Sequence, residues 1–136
     1  MDQDLSPFYA LAAEDPDLAW VARGSGRMLR SPTVFEDVAK TICTTNCTWS
    51  ATTRMVGALV EHLGETAPGA PASGTLGRAF PTPAAMAAEK DAFYRDVVRA
   101  GYRGAYLRDI ARRVARGDLD LESLATSGED DERVRE

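Results

Sequence analysis

At 136 residues the chain is long enough for one domain and no more, and its 44% hydrophobic content can fill a core. No apolar run is long enough to span a membrane, and the acidic start MDQDLSPFYALAAEDPDLAW lacks the basic region of a signal peptide. The net charge of −5 is unevenly placed: residues 118–136 hold eight acids and two Arg, residues 102–117 five Arg and one Asp. An acidic average therefore does not exclude a nucleic-acid partner.

In chain order the pattern is helical throughout. Ser6-Pro7 is a cap followed by a Pro suited to a first helical turn, so Phe8 to Ala13 reads as a short helix, and Leu18 to Val21 as another turn. Residues 24–30 form a loop or short extended segment. Thr33 and Glu36 have capping-box spacing, and Val34, Phe35, Val38, Ala39 and Ile42 then recur on one helical face. A second helix starts near Trp49, buries Val56, Leu59, Val60 and Leu63, and stops at Gly64. Residues 65–79 (ETAPGAPASGTLGRA) are a loop by their Gly, Pro, Ala and Ser content. Thr82-Pro83 opens a short helix; Phe93, Val97 and Val98 mark another, ending near Gly101. Tyr102, Tyr106, Leu107, Ile110, Ala111 and Val114 stripe a strong helix stopped by Gly117, and Leu119, Leu121 and Leu124 allow a last short one. The fold class is all-α, with six or seven short helices.

Two stretches interrupt this tidy pattern. TICTTNCTWSATTRM (residues 41–55) sets hydroxyls, Asn46, Cys43, Cys47 and Trp49 between two core helices. Capping explains much of it, with Thr45, Asn46 or Thr48 satisfying loose backbone donors. GYRGAYL (residues 101–107) reads as a glycine stop with Tyr102 in the core and Arg103 in solvent, or as an aromatic and an Arg able to stack on and bond to an unpaired base. Cys43 and Cys47 are too few for zinc and His62 has no partner nearby, so no metal and no cofactor is expected. The thiols read as small buried hydrophobes and His62 as a surface residue. No nucleophile-base order or phosphate loop stands out. The ratio of 14 Arg to 2 Lys suits phosphate and base contacts, and a GC-rich coding bias explains it equally well.

Taken together, PTVFEDVAKTICTTN, TWSATTRMVGALVEHLG, FPTPAAMAA and GYRGAYLRDIARRVARGDLDLESL resemble, in order and spacing, the first half of the helix-hairpin-helix (HhH-GPD) DNA glycosylases. The branch is that of 8-oxoguanine glycosylase and 3-methyladenine glycosylase II, and the resemblance runs from about Ser31 to Leu124. It implies a multi-helix orthogonal bundle, truncated before the hairpin, and damaged double-stranded DNA as partner. By the same resemblance, Asn46 would enter the gap left by an extruded base. Tyr102 would wedge into the stack and Arg103 would bond to the orphaned base. Cys47 and Thr48, standing where that branch has further Asn residues, would complete an inserting corner that differs in detail.

Two departures qualify the match. Ala51 stands where that branch has a second Arg, and no Leu-Pro-Gly-Val-Gly hairpin, with the catalytic Asp beyond it, occurs in the sequence. No catalytic residue is therefore assigned. The expected layout is an N-terminal extension over residues 1–30, the glycosylase part over 31–126 and a disordered charged tail over 127–136. Also expected are a cytoplasmic location, on the nucleoid when bound to DNA, no membrane partner, and self-association through an exposed apolar face. The competing reading is a non-catalytic DNA-binding or protein-interaction module built on the same scaffold.

Overall fold

The structure, a computed structural model, describes residues 4–26 and 29–125; the charged tail predicted to be disordered lies outside them. The chain divides into two compact units, Met1–Arg30 and Ser31–Glu136. In the first, helix α1 (Ser6–Ala13) is followed by a 3-10 turn at Ala19–Arg23, and the Tyr9 hydroxyl donates to the carbonyl of Ser25 at 3.0 Å.

The second unit carries α2 (Val34–Thr44), α3 (Trp49–Leu63), α4 (Pro83–Ala88) and α5 (Arg103–Arg116), with a π-helical turn at Phe93–Val97 and a 3-10 turn at Glu122–Ala125. Among the described residues there is no strand beyond one isolated bridge, Thr66 to Arg78, so the all-α expectation holds. Residues four apart on each helix make the core: Phe35, Ala39 and Cys43 on α2, Met55 and Leu59 on α3, Leu107 and Ala111 on α5. Met86, Tyr94, Val98, Ala100 and Leu121 close it from the shorter segments. Each fully buried Leu or Met contributes roughly 1.5–3 kcal/mol by leaving water. No helix among the described residues is long and apolar enough to cross a membrane.

Threonines start three of the helices. The hydroxyls of Thr33, Thr48 and Thr82 accept from the backbone N–H of Glu36, Ala51 and Ala85 at 3.2, 3.3 and 3.2 Å. The predicted capping box at Thr33 and Glu36 is only half made, because the Glu36 carboxylate takes Lys40 Nζ at 2.5 Å instead. The first N–H groups of α2 are served from 88 residues away, where the Glu122 carboxylate accepts from Val34 N at 3.0 Å and from Phe35 N at 3.1 Å. A carboxylate on a helix N-terminus meets both the loose donors and the positive end of the dipole. Glu122→Ala is therefore expected to destabilise the chain by about 1–2 kcal/mol. Urea denaturation measures it, and a midpoint equal to that of the wild type would reduce the contact to decoration.

The stop of α3 at Gly64 holds, with an extended backbone (φ −71°, ψ 135°) at that residue. Two expectations need correction. The helix predicted from Phe93, Val97 and Val98 is a wider π turn, closed by Val98 N to Phe93 O at 3.0 Å. That width turns Tyr94 inward, where its hydroxyl donates to Met86 O at 2.6 Å, and leaves Val97 41% exposed. Tyr102 and Tyr106 do not join the buried stripe of α5. The inner face is Arg103, Leu107 and Ala111, one residue further round, so both tyrosines flank it in solvent.

Candidate nucleic-acid interface

The elbow between α2 and α3 is a built structure. Thr45 leaves α2 in an extended conformation, and its hydroxyl donates back to Ile42 O at 2.9 Å. Asn46 then takes a left-handed conformation (φ 44°), which Asn tolerates better than most residues, and Thr48 caps α3. Thr52 braces this turn from beneath. It is 5% exposed, and its hydroxyl lies 3.1 Å from Cys43 O and 3.3 Å from Cys47 Sγ. Thr52 has a signal in the sequence: it falls three residues before Met55 and seven before Leu59, on their buried face.

The thiols part company. Cys43 is buried, and desolvation, partly offset by Arg103, pushes its pKa up to about 11, so it stays a neutral hydrophobe. Cys47 was expected to be buried as well. It is exposed, because the turn at Asn46 carries the chain off the α2 axis before residue 47.

The start of α5 reaches this elbow from the other end of the sequence. The Tyr102 hydroxyl lies 3.4 Å from Thr45 Oγ1 and 3.4 Å from Asn46 Nδ2, and these bonds, Thr45 first, hold the phenol below its ordinary pKa. Arg103 donates from Nε to Thr45 O at 2.9 Å, from Nη2 to the same carbonyl, and from Nη1 to Ala100 O at 3.5 Å. Its guanidinium carbon also sits 4.6 Å from the centre of the Tyr102 ring. A second Arg, missed in the sequence, supports the approach: Arg54 on α3 donates to Val98 O at 2.9 Å, steadying the turn that leads to Gly101.

Capping thus accounts for Thr48, while Thr45 and Asn46 turn their side chains to α5. Of the five residues singled out, Asn46, Cys47, Thr48 and Tyr102 are exposed and Arg103 is 8% exposed. Among the described residues no group of His, Cys, Asp and Glu could hold a metal ion.

This arrangement of helices has solved counterparts. The chain is similar to the Clostridium acetobutylicum 8-oxoguanine glycosylase/lyase in its apo form, with a TM-score of 0.72 and 25% identity over 91% of this chain. This is the helical fold of the 8-oxoguanine glycosylases. The same enzyme in complex with double-stranded DNA containing cytosine opposite 8-oxoguanine matches with a TM-score of 0.69 and 26% identity over 88% of this chain. MBOgg1 in complex with a low-affinity DNA ligand matches with a TM-score of 0.72 and 22% identity over 90%. The chain spans 40–42% of the length of these glycosylases. The match exceeds residues 31–124, so it takes in part of the first thirty residues too. No protein-family model matches the sequence, and no curated protein matches it.

The glycosylase likeness implied that Arg103 bonds to an orphaned base. Here the guanidinium is buried against two backbone carbonyls, so in this state it holds the elbow in place.

Proposed function

We propose that this chain is the DNA-opening part of a base-excision-repair glycosylase, acting on duplex DNA from which a damaged purine is flipped. What carries this reading is the meeting of Asn46 and Tyr102, 56 residues apart, as exposed side chains at hydrogen-bond distance on rigid helix ends. Extruding a base costs a few kcal/mol of stacking, and short polar groups beside an aromatic ring can refill the gap. Tyr102 supplies the face that stacks, Asn46 the amide that enters, and Arg103 is a positioning residue that fixes both. Thr48 and Cys47 shape the rim of the wedge.

Ala51 stands where the 8-oxoguanine branch has a second Arg, so position 51 offers no charged donor to the base opposite the lesion. The chemistry of bond cleavage is assigned to none of these residues.

The test is binding to a fluorescently labelled duplex carrying an abasic gap, against the same duplex intact. Tyr102→Ala is expected to weaken binding to the gapped duplex about tenfold, in line with the worth of one aromatic–base stack, and to spare the intact one. Equal loss on both duplexes would reduce Tyr102 to a general backbone contact and remove the gap-filling role.

A further inference from the structure

The elbow presents one more large side chain that the reading above leaves unused. Trp49, the first residue of α3, is 75% exposed. Among the described residues no aromatic ring or cation covers its indole. Its backbone is nonetheless fixed: Thr48 caps the helix it begins, and Thr53 Oγ1 donates to its carbonyl at 2.6 Å. Single exposed aromatics are ordinary on protein surfaces. The setting of this one is not, because Tyr102 (55% exposed) meets the same elbow and Tyr106 (61%) stands edge-on to Tyr102 at 6.2 Å.

Charge singles out the same region. Residues 38–60 and 97–108, the two segments that build the elbow and its partner, contain no Asp or Glu in a chain with 21 of them. They carry Lys40, Arg54, Arg99, Arg103 and Arg108. Glu36 and Asp91, from outside these segments, pair with Lys40 and Arg108; the remaining cations beside flat rings fit a polyanion that offers bases to stack on. Trp49 lies three residues beyond Asn46, so their Cα atoms are about 11 Å apart at most. One DNA strand rises about 3.4 Å per nucleotide. The indole is therefore within about three nucleotides of the wedge.

We propose that Trp49 is a second stacking residue, packing on an unstacked base beside the gap that Tyr102 and Asn46 fill; this rests on the DNA-opening reading. The experiment uses the full chain with Trp20→Phe, which leaves Trp49 as its one indole. Gapped and intact duplexes are titrated while Trp49 emission and the anisotropy of a DNA label are followed together. Emission is expected to be quenched on the gapped duplex in step with binding. Trp49→Ala is expected to weaken binding to the gapped duplex about tenfold with the intact duplex spared, and Trp49→Phe to restore most of the loss.

Binding with unchanged emission, or with the affinity of Trp49→Ala equal to that of the parent, overturns the role of Trp49 and leaves the DNA-opening reading standing. Equal losses on both duplexes overturn it as well, by making the contact independent of an opened stack. An emission shift that follows protein concentration without DNA shows the indole covered by a second copy of the chain, with the same consequence. Absence of any binding, by the parent as by the variants, removes both readings together.

Discussion

Arg103→Ala lowers the stability of the chain by about 3 kcal/mol, because hydrogen bonds from a charged donor are each worth roughly 1.5–3 kcal/mol and their loss strands a carbonyl. The guanidinium is almost wholly out of water, and beside the Tyr102 hydroxyl it ties the start of α5 to the end of α2, through Thr45 O and Thr45 Oγ1. Arg103→Lys recovers little of this. A single ammonium cannot span Thr45 and Ala100 at once as the planar fork does, nor lie against the Tyr102 ring in the same way. For a chain of this size the melting temperature of the alanine variant should fall on the order of 10–15 °C. Hydrogen exchange gives the local signature: protection should drop at residues 45–48 in both variants, further in Arg103→Ala. A melting temperature within a degree or two of the wild type would show that the elbow stands without Arg103, and that its side chain is free for other work.

Gly64→Ala should be nearly as damaging, at about 2–3 kcal/mol, for a reason unrelated to glycine's freedom of φ. A Cβ at this position would lie 2.3 Å from Ala79 O and 2.4 Å from Val60 O, both backbone atoms that cannot swing aside. Residue 64 is where α3 gives way to the loop of residues 65–79, which is pinned by Ala67 N to Gly77 O at 2.8 Å and Ala79 N to Glu65 O at 2.9 Å. Arg78 adds a bond to Thr66 Oγ1 at 2.7 Å. An alanine must prise these apart or unwind the last turn of α3. Urea denaturation should show the loss. By contrast Gly117→Ala, at the left-handed end of α5 with open space around it, should cost only about 1 kcal/mol. Equal effects at the two positions would show that the crowding at residue 64 relaxes freely.

The two glycines illustrate what a sequence can convey. Both stand where a helix pattern stops, and the sequence marks both as ends. Only the fold separates a glycine chosen for its backbone angle from one chosen because another strand of backbone passes within contact. The tyrosines make the same point. Tyr102 and Tyr106 keep helical spacing with Leu107 and Ala111, and periodicity alone cannot place the edge of a buried stripe to within one residue.

Helical periodicity, threonine caps and the Gly- and Pro-rich loop were enough to determine an all-α chain and most of its core, because those signals act between residues a few positions apart. The order of its motifs was enough to indicate the glycosylase fold. Tertiary structure alone decided that Glu122 caps a helix 88 residues away, that Arg103 turns inward to Thr45, and that Asn46 and Tyr102 share a hydrogen bond. Such contacts depend on how packed helices bring remote segments together, and no local preference of the chain encodes a meeting between residues so far apart.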